Sequence, residues 1–288
     1  MRNPFALHKK NRLLSHIGSV RMFHRNLTCN DPLLDPAGPV VSLTTFGPRI
    51  PIVYKAIESI GRGRLRPSRL ILWIDEAERD LGLPVSLQRL ARRGLEIRYC
   101  RNYGPHKKYY PYVQGHGGFD RPLVTADDDV IYAKYWLAEL MRAYAAHPDV
   151  INCLRAKRIR LTDTGFAPYD DWPECSSSQP SHLHFATGVS GVVHPPAFQQ
   201  VLKEAGDAFV DLCPSADDIW LHAQALRHGY RVRQVREQAV HFVEIRGTQK
   251  SALNRHNVQG GGNDRQLAAT YRPEDLQRLR QESLQASR

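Results

Sequence analysis

Short apolar runs that stop abruptly at polar residues set the rhythm of the chain. VVSLTTF, Val40 to Phe46, reads as a buried strand with a polar turn after it. Residues Ile52 to Ile60 read as a helix, and a Gly-Arg-rich turn then leads into LILWIDE, Leu70 to Glu76, a second apolar run ending in acid. Pro84 to Arg93 predicts another helix, with Leu87, Leu90 and Ala91 on one side; GLEIRYC and PLVTADD follow as third and fourth strands. Helices placed between short buried strands predict an α/β domain around a mainly parallel central sheet. Ligands of such sheets collect beyond the carboxyl ends of the strands.

Further along, Tyr132 to Ala146 predicts a helix and Ile151 to Ile159 an edge strand. Thr162 to Pro180 has no periodicity and reads as a loop over or beside a site, with Tyr169 and Trp172 as an apolar platform or as plain anchors. FATGVSGVVHPP, Phe185 to Pro196, is glycine-rich but lacks both GxxxxGK and GxGxxG, so it adds nothing to an ATP or dinucleotide role. Helices are expected over Pro196 to Gly206, within Cys213 to Tyr230 and over Pro273 to Leu284, and a strand over Val232 to Val235. Pro32, Asp35, Pro36, Gly38 and Pro39 form a breaker-rich linker. The organisation expected is a basic arm and linker over 1–39, a catalytic core over 40–245, and a C-terminal extension over 246–288 that completes the site.

Composition narrows this modestly. A hydrophobic fraction of 42% and a charged fraction of 24% over 288 residues exclude a mainly disordered chain. The five cysteines are scattered, with no CxxC and no zinc-knuckle spacing, which disfavours a disulfide scaffold or a structural zinc and fits a reducing cytoplasm. No apolar run is long enough to span a bilayer and no typical signal peptide stands out. The formal charge of +11 favours anionic partners. Before Asp31 the charged residues are all basic and are interrupted by Leu13, Leu14, Ile17, Val20 and Phe23. That pattern fits peripheral contact with an anionic membrane, on the cytoplasmic face of the inner membrane, or equally an arm packed on the domain.

The candidate chemistry is acidic. Asp127, Asp128 and Asp129 follow one apolar run and precede another, and three adjacent carboxylates are costly unless a positive group approaches. A turn explains them, and so does a hard divalent cation bridging carboxylates to phosphate oxygens. Asp217 and Asp218 in SADDIW start an amphipathic helix, where acids complement the helix dipole or serve as a proton acceptor. A metal at one acidic centre and a base at the other suit transfer from a diphosphate leaving group. The same two ingredients suit a metal-dependent hydrolase of a phosphate ester or nucleotide diphosphate.

VVSLTTFGPRI, NYGPHKKYYPYV, VTADDDVIY, TGVSGVVHPP, SADDIWL and the late GGGNDRQL, taken in order, resemble a bacterial family of polysaccharide-biosynthesis glycosyltransferases. The resemblance implies a GT-A-like, Rossmann-related sandwich. It implies a hexosyltransferase-like enzyme that moves a sugar, with inversion, from a nucleotide-diphosphate sugar, UDP-sugar favoured, to a glycan or lipid-linked saccharide of a capsule or lipopolysaccharide. In that family Asp127 and Asp129 correspond to the pair holding manganese or magnesium, with His241 or His256 as a candidate third ligand. Asp128 joins the donor contacts, as do Thr44, Thr45, Arg49, Asp75, Lys107 and Lys108. Asp218 corresponds to the general base and Asp217 precedes it, while Gly188, Gly191, Asp217 and Trp220 face the acceptor. A basic nucleic-acid-binding module is the remaining alternative; it leaves both acidic centres unused, so no specific nucleic acid is expected.

Overall fold

The computed structural model describes residues 4–248 and 261–285, with side chains from residue 12 onward. By backbone contacts the chain divides into two compact units: unit one holds residues 1–101, 127–139 and 241–252, and unit two holds 102–126, 140–240 and 253–288.

Unit one is built on three parallel strands, β1 (Val40–Thr44), β2 (Arg69–Asp75) and β3 (Leu95–Cys100), paired in that order. Their near-continuous burial at β1 and β2 is what a parallel strand covered on both faces requires. Helices α1 (Pro4–Thr28), α2 (Tyr54–Gly61) and α3 (Val85–Arg92) contact one another. Ala56, Ile57, Ile60, Leu87 and Leu90 are buried in them. The basic arm is therefore a helix lying on unit one. Its inner face presents Ser15, Met22 and Asn26, which are buried, while Leu13, Ile17, Val20 and Phe23 are exposed. The inner face is held by a polar contact at its centre. Glu58 of α2 is 0% exposed; it receives Arg93 Nη1 at 2.5 Å and Asn26 Nδ2 at 3.1 Å, and Arg25 Nε lies 3.2 Å from its other oxygen.

Unit one also contains β5 (Val130–Ile131), which pairs antiparallel with Val243–Glu244. Ile131 packs with Ala56 and Ile245. In unit two β4 (Leu123–Ala126), β6 (Ile151–Cys153), β9 (Val192–His194) and β10 (Val232–Gln234) pair in the order β4-β9-β6-β10. Only β6 with β10 is parallel there. With unit one's two, three of these five pairings are parallel, so the α/β class with largely parallel strands stands. A separate ribbon joins β7 (Ala156–Arg158) and β8 (His184–Ala186), and Val243–Glu244 completes the strand set as β11.

The helices of unit two are α4 (Tyr110–Gln114), α6 (Pro196–Glu204), α7 (Phe209–Leu212), α8 (Asp217–Arg227), α9 (Gly262–Thr270) and α10 (Pro273–Gln285). Helix α5 (Trp136–Ala146) starts in unit one and ends in unit two. Helix α10 is fastened by Glu282, which accepts Ser181 Oγ at 2.6 Å and pairs with His182 Nδ1 at 2.6 Å. Burial pushes this carboxyl up, but the hydrogen bonds from His182 and Ser181 outweigh it and hold the pKa at about 2.

Two expected elements differ. The single edge strand over Ile151 to Ile159 is two strands: the chain turns at Leu154 and Arg155, and β6 is interior, flanked by β9 and β10. The helix expected from Tyr132 begins at Trp136. Tyr132 is instead fully buried, its ring 4.1 Å from that of Trp136 and its hydroxyl accepting the Asp127 N–H at 2.7 Å.

Glu58→Ala is expected to destabilise the protein by about 3–5 kcal/mol, because it strands the buried Arg93 guanidinium; urea denaturation at neutral pH measures it. Glu282→Gln is expected to cost on the order of 1–2 kcal/mol at pH 7, discounted for partial solvent exposure. Because the folded carboxyl is depressed from 4.5 to about 2, the difference from wild type shrinks as pH falls through that window. A difference that persisted at pH 2 would contradict this.

Candidate functional site

In unit one the acidic turn is organised by an arginine. Strand β1 ends at Thr44, whose Oγ1 donates to Trp73 O at 3.1 Å. The backbone then enters a 3-10 turn, Gly47–Arg49, with Gly47 at φ +44. That φ favours glycine, and the Gly47 N–H donates to both carboxylate oxygens of Glu78, at 2.8 and 3.0 Å. The turn aims Arg49 inward, where it is 8% exposed. Arg49 Nη1 donates to Asp128 Oδ1 at 2.6 Å, Nη2 lies 3.3 Å from Asp129 Oδ2, and Nη2 donates to Thr248 O at 3.1 Å. Thr45 Oγ1 donates to Asp128 Oδ2 at 2.7 Å.

Asp128 is consequently the sealed member of the triplet, while Asp127 and Asp129 stay partly exposed on either side. Burial pushes the Asp128 carboxyl above its ordinary value, against the pull of the Arg49 guanidinium and the Thr45 hydroxyl. The turn's backbone is pinned too, by the Tyr132 hydroxyl at Asp127 and by Ile245 N–H donating to Asp129 O at 2.6 Å. Asp75 ends β2 and is buried; it precedes a 3-10 turn without capping it through its side chain.

In unit two a second cluster gathers Lys108, Asp217, Asp218 and Gly188. Lys107 and Lys108 end the 3-10 turn Gly104–Lys108, with Lys107 2% exposed. Lys108 Nζ lies 3.8 Å from Asp217 Oδ2, and Gly188 N–H donates to Asp218 Oδ1 at 2.9 Å. A methyl at Gly188 would lie 3.1 Å from Asp218 Oδ1 and 3.3 Å from Lys108 Nζ, so a side chain there would displace both. Next to it Ser190, 1% exposed, takes φ +86, a strained conformation for a residue other than glycine, and its hydroxyl donates to Val240 O at 2.7 Å. Gly191, at φ +97, closes this turn through its N–H to Gly188 O. Trp220 is 3% exposed in α8.

Behind the cluster His106 stacks on Phe209 with ring centroids 3.9 Å apart. Burial lowers its pKa to about 3. The ring is therefore neutral, consistent with Nε2–H donating to Cys213 O at 2.8 Å and Nδ1 accepting from the Tyr109 hydroxyl at 2.9 Å. It supports the backbone before Asp217 rather than titrating at neutral pH.

Thr45, Arg49, Asp128 and Asp129 thus meet in unit one, and Lys108, Asp217, Asp218 and Gly188 in unit two. His241 is exposed, and His256 lies outside the described residues. Among the described residues no group of three or more His, Cys, Asp or Glu side chains is gathered as a metal ion would need. The hard oxygens of Asp127 and Asp129 fit magnesium or manganese if phosphate and water oxygens complete the coordination. Sequence reasoning missed Glu78, Tyr132 and Thr248. The positive φ of Gly47 had no local signal beyond the Gly-Pro pair, and the Tyr132 contact depends on folding the turn back.

No protein-family model matches the chain, and no curated protein matches it. The chain is similar to solved structures of the inositol-1-phosphate CTP transferase from T. maritima (13% identity, 68% of this chain and 84% of that one, TM-score 0.43), and of CMP:2-keto-3-deoxy-manno-octonic acid synthetase complexed with CTP (11%, 68% and 88%, TM-score 0.41). A third is 4-diphosphocytidyl-2C-methyl-D-erythritol synthase from Anaerococcus prevotii DSM 20548 (12%, 72% and 90%, TM-score 0.43). These findings correct the glycosyltransferase expectation. The structures found are named for CTP and cytidyl chemistry rather than for sugar transfer to a glycan. The hexosyltransferase class, the capsule or lipopolysaccharide setting, the UDP-sugar donor and the glycan or lipid-linked acceptor fall with it. Among the described residues no helix is long and apolar enough to cross a membrane.

Arg49→Met is expected to destabilise the protein by about 2–4 kcal/mol at pH 7, because it leaves Asp128 buried and uncompensated. Asp128's folded pKa is already raised, and loss of Arg49 raises it further, so the penalty grows with pH and shrinks once Asp128 is protonated. Urea denaturation at pH 7 and pH 4.5 reads the difference; an equal penalty at both would place Arg49's contribution elsewhere.

Proposed function

We propose that the chain is a divalent-metal-dependent nucleotidyltransferase that binds a nucleoside triphosphate at the strand ends of unit one and passes its nucleotidyl group to a phosphorylated acceptor. The observation that supports this best is the division within the acidic turn: Asp128 is sealed against Arg49 and Thr45, leaving Asp127 and Asp129 partly exposed to either side. Rigid carboxylates at the end of largely parallel strands are where an α/β fold meets phosphates and their metal.

In such a transfer an acceptor oxygen bonds to the α-phosphorus while the bond from that phosphorus to the bridging oxygen breaks, and diphosphate leaves. Magnesium or manganese, when bound, neutralises charge on the phosphates. Asp127 and Asp129 are the residues that would hold it. Arg49 acts as a positioning residue, keeping the turn in one conformation. Thr44 and Asp75, at the ends of β1 and β2, are the candidates for nucleoside contact.

Isothermal titration with each common nucleoside triphosphate, with and without magnesium, tests the reading, CTP first because the proteins named above carry it in their names. Metal-dependent binding that weakens at least tenfold in Asp127→Asn and in Asp129→Asn is expected. With a sugar 1-phosphate added, diphosphate release and a product of nucleotide-sugar mass are expected to follow. Triphosphate binding indifferent to the metal and to both substitutions, in folded protein, would overturn the proposal.

A further inference from the structure

Unit two carries a cavity of about 680 Å³ lined by Leu212 of α7, by Trp220, Gln224 and Arg227 of α8, and by residues of the corner between α9 and α10. That size is in the range that encloses a small metabolite. Its lining includes the apolar Leu212 and Trp220 and the charged, exposed Arg272, Arg278 and Glu274.

The polar groups on its walls differ in what they already hold. Arg227 is occupied: it donates to Asp275 Oδ2 from Nε at 3.0 Å and from Nη2 at 2.7 Å, and to Thr270 O at 2.6 Å. This pair contributes little net charge to the cavity. Arg278 holds the carbonyls of Leu226 and Arg227 at 3.3 Å each, which fixes its guanidinium. Arg272 and Arg278 against Glu274 leave an excess of one positive charge.

Gln224 is 5% exposed and lines the cavity, yet its side-chain amide makes no hydrogen bond within the described residues. Because Gln224 lines the cavity, its amide is available to a ligand held there. Trp220, which also lines the cavity, has a buried Nε1 donor without a hydrogen-bond partner among the described residues.

We propose that this cavity binds a small metabolite that joins one oxyanion group, a phosphate monoester or a carboxylate, to a hydroxyl-bearing body. Arg272 and Arg278 take the oxyanion, for which a guanidinium fork is suited, and the Gln224 amide takes a hydroxyl. Leu212 and Trp220 cover the carbon skeleton. This site is independent of the triphosphate reading, since none of Asp127, Asp129, Lys108, Asp217 and Asp218 lines it.

Isothermal titration of the full chain with glucose 1-phosphate, gluconate and inorganic phosphate tests it, with circular dichroism and thermal unfolding confirming that each variant folds. Saturable binding of glucose 1-phosphate or gluconate is expected, the stronger of the two naming the oxyanion. Tenfold or greater weakening is expected in Arg272→Glu, an exposed position, and in Gln224→Met, while Asp127→Asn binds as wild type. No binding of either organic probe, binding no tighter than inorganic phosphate, or binding unchanged in both variants would overturn the proposal.

Discussion

The contact between Arg49 and the acidic turn is the constraint on which the unit-one site depends. Three adjacent carboxylates repel one another, and one of them, Asp128, is taken out of water altogether. Only a charge delivered at close range makes that burial tolerable. Arg49 supplies it, and because its guanidinium is a rigid fork it reaches Asp128, Asp129 and the Thr248 carbonyl together. The geometry of β1, the 3-10 turn after it and the Glu78 contact to Gly47 all serve to bring that one side chain to the turn.

The same device recurs at two helices. Helix α1 is held to unit one through the buried Glu58, and α10 is held within unit two through Asp275 and Glu282. Apolar packing sets which face is covered but is tolerant of small slips. A buried ion pair with directed hydrogen bonds is not, since a partner displaced by an ångström leaves an uncompensated charge. In unit two the restraint acts on backbone as well: Asp218 binds the Gly188 amide, and the strained Ser190 is held by its bond to Val240 O.

The correction of the expected reaction has a physical basis. Acidic residues at strand ends and a basic-aromatic turn are what any enzyme needs that handles a nucleotide's phosphates with a metal. They specify how charge is managed, and leave open which bond is cut. Motif order shares that limitation, because an ordered set of phosphate-handling segments follows from the α/β topology itself. The Asp127 to Asp129 turn and the Asp217–Asp218 pair were thus legible as clusters of acid, and the identity of a transferred group was not.

The sequence by itself determined the α/β class, most strands and helices of both units, and the two acidic centres, because burial and acid after an apolar run are local properties of the chain. Tertiary structure alone decided that β6 lies inside the unit-two strand set, since its neighbours β9 and β10 come from residues far along the chain. It alone decided that Tyr132 folds back on Asp127, that Arg49 neutralises the triplet, and that Gln224 faces a cavity without a partner. A side chain's charge is written in the sequence, but its cost or use depends on what is brought within about 3 Å of it, and only the folded chain brings it there.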